Sequence, residues 1–190
     1  MNNITIIGVG ALGSHVAQFL RNACELKLVD HDRVEAKNLT SQFHGKPGVS
    51  KNKVQALSAT LQLLWGLKVT GVPHKLTSDN ADQLLSGADL LIDCLDNGEA
   101  RRIVQKYARA HNIPCLHGAL AADGGFGRSI WDESFTIDEA SAGAATCENG
   151  DFLPFIALVS SYIARSAQEF LASGRKVGFE IPPLSGSIKV

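Results

Sequence analysis

Gly8-Val-Gly-Ala-Leu-Gly13 is the stretch that most restricts what this chain can become. It spells G-x-G-x-x-G, and both flanks suit it. Ile4, Ile6 and Ile7 form an apolar run leading in; beyond it Val16, Phe19 and Leu20 recur on one helical face; Leu26-Lys-Leu-Val29 then reads as a short buried strand ending at Asp30. Strand, glycine turn, helix, strand and acid make the opening βαβ unit of a nucleotide-binding sheet. Gly8 permits the tight turn, Gly10 lets a phosphate approach the backbone, and Gly13 lets the helix pack closely on the strand. The helix start around Ala11 and Leu12 offers free N–H groups and positive potential to an anion. Asp30, 22 residues past Gly8, is placed to accept hydrogen bonds from a ribose. The motif alone leaves the nucleotide open, because NAD, FAD, ATP and S-adenosylmethionine folds all use such turns.

The rest of the chain continues the alternation. A polar stretch, 31–43, reads as a loop with a helical turn or two, and Gly45-Lys-Pro-Gly48 as a turn. Ser50 is the expected N-cap of a helix from Lys51 to Trp65, with Val54, Leu57, Leu61 and Leu64 on one stripe. Lys68 to Val72 reads as a strand, Asp79 to Leu85 as a short helix capped by Ser78, and Asp89 to Cys94 as a buried parallel strand. A helix over Gly98–Asn112, a strand over Pro114–Leu120 and an antiparallel strand over Gly124–Trp131 follow. The glycine- and alanine-rich 140–146 reads as a loop, Leu153–Ser173 as a long apolar helix opened by Pro154 and stopped by Gly174, and Lys176–Ile181 as a last strand. The expected fold is a Rossmann-like, doubly wound α/β sheet, mostly parallel with antiparallel strands toward the C-terminus, forming one domain over 1–190.

Composition narrows the partners. A net charge of −1 implies neither nucleic acid nor a membrane surface, and 45% apolar with 19% charged residues is globular. The longest charge-free apolar run, 152–164, is too short to span a bilayer. With no basic, apolar leader before the first strand, a cytoplasmic protein is expected. Cys24, Cys94, Cys115 and Cys147 are widely spaced without C-x-x-C, so reduced thiols and no zinc site are expected.

Three further stretches carry chemistry: Asp30-His-Asp32 with Asn38-Leu-Thr-Ser-Gln42, Gly48-Val-Ser-Lys51, and Asp93-Cys-Leu-Asp96-Asn97 followed by Arg101. In a doubly wound sheet, ligands bind at the carboxyl ends of the strands, where Asp30 and Asp96 both fall. A polyphosphate there needs cations, which Lys51 and Arg101 can supply. Magnesium needs a carboxylate or two besides phosphate oxygens, and Asp96 is the natural donor. An NAD site has less need of either, so the pattern tilts toward ATP.

At these residues the sequence resembles the ThiF/MoeB/HesA superfamily, which also holds the ubiquitin-activating enzymes. The matching blocks are Gly8–Gly13, Val29–Glu35 with Asn38-Leu39 and Gln42-Phe43, Gly48-x-x-Lys51, Asp93–Asn97 with Arg101, Ile113-Pro114 leading to Gly118, and Thr146–Gly150 with Pro154, Ser160 and Ala167. The resemblance implies an adenylyltransferase that uses ATP and Mg2+ to activate the C-terminal carboxylate of a ubiquitin-like or sulfur-carrier protein, as a homodimer or with a heteromeric partner. It implies that Asp30 holds the ribose, that Gly10 and the neighbouring backbone hold phosphate, and that Asn38 and Lys51 contact the phosphates. Asp96, with Asn97 beside it, would bind magnesium, and Asp32 would assist the metal or shape its loop. Arg101 would bridge to the Asp96 loop, and Cys147 matches the thiol that takes up the carrier in some members. Cys94, His44 and His117 are expected to serve packing and loop structure.

Departures from the superfamily's pattern bear on activity. Ser41 stands where the superfamily places a phosphate-binding arginine in Asn-Leu-x-Arg-Gln. Neither the N-terminal helical segment that sends an arginine into the partner's site in the bacterial dimers nor the paired zinc cysteines is seen. Lys46, Arg33 or a partner chain would have to supply the missing charge. A non-catalytic nucleotide-binding or scaffold subunit is therefore the second reading. A nicotinamide-dependent oxidoreductase is the third, and it would leave Asp96 without a task.

Overall fold

The computed structural model describes residues 3–22, 25–121, 125–137, 150 and 152–182. Among these, seven strands form one sheet: β1 (Asn3–Ile7), β2 (Glu25–Val29), β3 (Thr70–Val72), β4 (Leu90–Asp93), β5 (Cys115–Leu120), β6 (Gly127–Trp131) and β7 (Phe179–Ile181). Their order is β3-β2-β1-β4-β5-β6-β7. The first five in that order run parallel; β6 and β7 are antiparallel to their neighbours, as the sequence predicts. The order reverses between β1 and β4, and the carboxyl ends of these two strands open the crevice where such sheets bind ligands.

The strands are apolar on both sides because both faces are covered. Ile4, Ile6, Leu28, Leu90, Ile92 and Leu116 face α1 (Ala11–Phe19), α2 (Lys53–Trp65) and α5 (Leu153–Ser173). Ile7, Val29, Leu91 and Cys115 face α3 (Ala81–Leu85) and α4 (Gly98–His111). Among the described residues no helix is long and apolar enough to cross a membrane.

Several local expectations shift. Ser50 does not cap α2; Asn52 does, its side chain accepting from Val54 N–H, and the helix starts at Lys53. Ser50 instead takes a left-handed conformation at φ 69° in the turn before it. Val54, Leu57 and Leu61 are buried, but Leu64 is 54% exposed because the last turn of α2 passes beyond the sheet. Asn80, not Ser78, precedes α3, and its Oδ1 accepts from Thr77 N–H at 2.8 Å. The β3 and β7 strands are three residues each, shorter than the sequence suggests. The 140–146 stretch lies outside the described residues.

The α5 helix keeps the bounds read from the sequence, and most of its apolar face packs within the chain. Phe155, Ile156, Val159, Ile163, Ala164 and Ala167 are buried within the chain, against α1, β5 and β6. Ser160 Oγ donates to Leu12 C=O at 3.3 Å, and Ser129 and Ser166 hydroxyls pair at 2.9 Å across the same contact. The helix can lie this close because β6 begins with Gly127, where an added Cβ would meet Val159 Cγ2 at 2.3 Å. Gly127→Ala overpacks this contact and should cost about 1–3 kcal/mol. Calorimetry should find the melting temperature lower by about 3–10 °C for a chain of this size; an unchanged midpoint would show that α5 shifts freely.

Candidate nucleotide-binding site

The glycine turn is fixed by backbone contacts that exclude side chains. Gly8 has φ +85°, and an added Cβ would stand 2.9 Å from the Cys94 carbonyl oxygen. At Gly13 an added Cβ would be 1.8 Å from the Gly8 oxygen, so α1 can start here only without one. Gly13 is therefore absent from the cleft wall and acts by packing, whereas Gly8, Gly10, Ala11 and Leu12 line the cleft. At Gly10 a Cβ would meet only Gln42 Nε2, at 3.9 Å, so the space beside it is open cleft. No side chain caps the start of α1, leaving its first N–H groups for a ligand.

Asp30 follows β2 at the opposite lip. Its Oδ2 accepts from Val9 N–H and its Oδ1 from Asp32 N–H, each at 2.8 Å. Burial pushes its carboxyl above the ordinary carboxylate range, partly offset by nearby Lys53 and these two N–H groups. Each oxygen keeps lone pairs that ribose hydroxyls can use.

The loop over 36–44 is pinned to α1. Asn38 lines the cleft, and its Oδ1 accepts from Glu35 N–H at 2.8 Å. Ser14 Oγ accepts from Phe43 N–H at 2.9 Å. His44 Nε2 meets Val9 C=O at 3.0 Å and His15 Nε2 meets Ser41 C=O at 3.2 Å. These contacts require Nε2–H tautomers, because a carbonyl only accepts. Burial lowers both imidazoles, His44 to about 4, so both are neutral near pH 7. With Ser14, His44 and His15 thus tie this loop to the turn and α1; a loop role is what the sequence leads one to expect of His44, whereas His15 gives no sign of it. Ser41 is 2% exposed and borders the cleft without bringing charge.

Cations reach the cleft by another route. Lys51, the expected phosphate ligand, is exposed and outside the cleft wall. Lys53 lines the cleft instead, with its Nζ 3.0 Å from Asp32 Oδ2. The left-handed turn residue is Ser50, and counting three residues from Ser50 rather than from Gly48 gives Lys53. Arg33 is exposed and donates to Ser50 C=O, and Lys46 is exposed; neither lines the cleft. Arg101 and Arg128 do.

Asp96 and Asn97 form the third side. Asn97 Oδ1 caps α4 through Ala100 N–H at 2.8 Å. Among the described residues the exposed Asp96 carboxylate engages no hydrogen bond or ion pair, and it lines the cleft. An exposed, uncommitted carboxylate facing a phosphate-sized opening suits magnesium, which keeps most of its waters and takes few protein ligands. Asp30, His31 and Asp32 also bring ligand atoms within 4.8 Å of one another, but Lys53 already answers Asp32. Arg101 Nη2 donates to Leu95 C=O and to Gly118 C=O, the latter at 2.7 Å, which is the bridging role expected of it. Cys115 is buried and Cys94 half-buried at the cleft wall; desolvation pushes both thiols up, with Asp93 adding to the effect. Neither suits a nucleophile, which acts as the thiolate. Cys147 lies outside the described residues.

The whole cleft measures about 550 Å3, with a far wall that includes Leu120, Phe126, Phe135 and Ile137. Pockets of a few hundred to a thousand cubic ångströms hold ligands of nucleotide size.

The profile of the ThiF family matches residues 2–178. The chain is 30% identical over 178 residues to the "Sulfur carrier protein ThiS adenylyltransferase" of Bacillus subtilis, covering 87% of this chain and 53% of that protein. It is 28% identical over 180 residues to the "Molybdopterin-synthase adenylyltransferase" of Salmonella typhimurium, covering 89% and 72% respectively. It thus spans about half the length of the first of these. A crystal structure of E. coli MccB with ATP shares the fold at a TM-score of 0.74 and 17% identity, covering 95% of this chain and 64% of that one.

The buried histidines give a stability test. Between about pH 6.5 and 4 the unfolded chain binds a proton at His44 that the folded chain refuses, so stability falls as pH drops through this window. Urea unfolding at pH 7 and 4.5 should show the wild type losing about 2–3 kcal/mol more than His44→Gln, which keeps a donor for Val9 C=O. Parallel losses would show that His44 titrates normally.

Proposed function

The chain belongs to the ThiF family, and on that premise we propose that it is an ATP-dependent adenylyltransferase for the C-terminal carboxylate of a ubiquitin-like or sulfur-carrier protein. The observation that carries this reading is the convergence, in one cleft, of the uncapped start of α1, the Lys53 ammonium and the uncommitted Asp96 carboxylate. The names of the relatives support it, since both are adenylyltransferases, one of a sulfur carrier.

In the reaction a carrier carboxylate oxygen forms a bond to the α-phosphorus of ATP. The bond from that phosphorus to the bridging oxygen breaks, and pyrophosphate leaves. Attack of one anion on another needs positioning and positive charge more than a base. Asp30 holds the ribose through its carboxylate. The N–H groups at Ala11 and Leu12 receive phosphate oxygens, and Asn38 borders the same space. Lys53 swings from Asp32 to the phosphates. Asp96 would hold magnesium, which would supply positive charge against the phosphate oxygens. Arg101 and Arg128 bring positive charge to the far side of the cleft, toward the entering carboxylate, and offset the charge missing at Ser41. A second subunit, identical or not, belongs to this reading. Cys147 is the proposed acceptor if the carrier passes from the adenylate to a thioester.

Carrier-dependent ATP–pyrophosphate exchange tests the reading. Exchange should appear in the wild type and fall about 100-fold or more in Lys53→Ala and Asp96→Ala, the range for removing a charge-stabilising group. Lys51→Ala should retain activity within about twofold, as expected for an exposed residue that touches nothing reactive. ATP binding without exchange, across carriers ending in Gly-Gly, would favour the non-catalytic nucleotide-binding or scaffold subunit that Ser41 suggests.

A further inference from the structure

Behind Arg101 lies a chain of buried polar groups, Asp93, His117 and Asp132, to which the proposed reaction assigns no part. Asp93 and His117 are fully buried at the ends of β4 and in β5, and Asp132 is nearly so. Asp93 Oδ1 accepts from Leu95 N–H at 2.9 Å. Its Oδ2 accepts from His117 Nδ1 at 2.7 Å and lies 3.5 Å from Arg101 Nη1. Arg101 Nη2 donates to the Leu95 carbonyl. The N–H and the C=O of Leu95 are therefore both held, one by Asp93 and the other by Arg101, and the next residue is Asp96.

The chain continues outward. His117 Nε2 meets Asp132 Oδ1 at 3.1 Å, and Gln105 Nε2 donates to that same oxygen at 2.8 Å. Arg109 Nε donates to Asp132 Oδ2 at 2.6 Å. Phe135 stacks on the His117 ring at 4.0 Å and 13°, sealing it from the cleft. Each ring nitrogen faces a carboxylate oxygen, so the ring serves both only while it carries both protons. Apolar residues would fill such a space at least as stably as a buried ionic network. What apolar residues could not do is hold a peptide group at each end.

We propose that His117 and Asp132 are positioning residues for Asp96: through Asp93 and Arg101 they clamp Leu95, so that the uncommitted carboxylate is presented to magnesium in one place. This rests on the reading of the cleft as a magnesium–ATP site. Removing a hydrogen-bond partner of a metal ligand typically weakens metal affinity about 10- to 100-fold; here the network acts through the Leu95 peptide and not on the Asp96 carboxylate itself, so the low end of that range applies.

The test uses the full chain with two readouts, neither of which needs turnover. One is hydrogen exchange of the Leu95 amide; the other is the gain in ATP affinity on adding magnesium, measured by calorimetry against ATP in EDTA. In Asp132→Ala, Leu95 should exchange at least about tenfold faster, and the magnesium gain should fall about tenfold, the low end for such partners, with ATP affinity in EDTA within about twofold. Asp132→Asn, which keeps an acceptor for His117, should recover most of both. His117→Gln should resemble Asp132→Ala or exceed it; should it fail to fold, Asp132→Ala at the outer end carries the test. A folded Asp132→Ala chain with wild-type Leu95 exchange and magnesium gain overturns the proposal. If the wild type binds ATP with no magnesium gain, the metal role of Asp96 falls, and the clamp with it. Absent exchange activity in a wild type that shows the gain would count against adenylation alone.

Discussion

The closeness of α1 to β1 is the constraint on which the cleft depends. Only because Gly13 lacks a Cβ can the first turn of the helix press on the Gly8 carbonyl. That contact aims the uncapped N–H groups of α1 across the carboxyl ends of β1 and β4. It also brings Val9 N–H to Asp30, coupling the glycine turn to the end of β2 through one hydrogen bond of 2.8 Å. On the other side of the helix, α5 holds the packing in place by donating from Ser160 to Leu12. The longest helix in the chain thus braces the shortest-range contact in the site.

Charge in the cleft is arranged around a loss. The loop that carries Asn38 and Ser41 is tied to the glycine turn by neutral histidines, not by ions. Positive charge enters from three other elements instead: Lys53 at the start of α2, Arg101 on α4 and Arg128 on β6. Lys53 Nζ is paired with Asp32 Oδ2 at 3.0 Å. Asp32 is half exposed, so water can take over its solvation, but the Lys53 side chain is only 10% exposed and needs another anion in its place when the pair opens.

Much of this was legible in the sequence, and the remainder was hidden for physical reasons. The glycine turn, Asp30, Asp96 and the bounds of α5 are local patterns, and the structure places them where the patterns predict. Which of Lys51 and Lys53 lines the cleft was hidden, because both lie close to the Gly48 turn in sequence. The residue that adopts the left-handed turn is Ser50, and few non-glycine residues do so. The Asp93–His117–Asp132 chain was hidden because its members lie 24 and 15 residues apart and meet only once β4, β5 and the turn after β6 are side by side. A lone histidine in an apolar strand gives no sign of the carboxylates that will face it.

A magnesium–ATP cleft and a dinucleotide cleft differ in the nucleotide they bind and in what magnesium does to that binding. Parallel calorimetric titrations of the wild-type chain with ATP and with NAD, each with and without magnesium, test this directly. The account predicts saturable ATP binding that magnesium strengthens, and no comparable heat from NAD. Binding of NAD without magnesium, with ATP giving none, would contradict it.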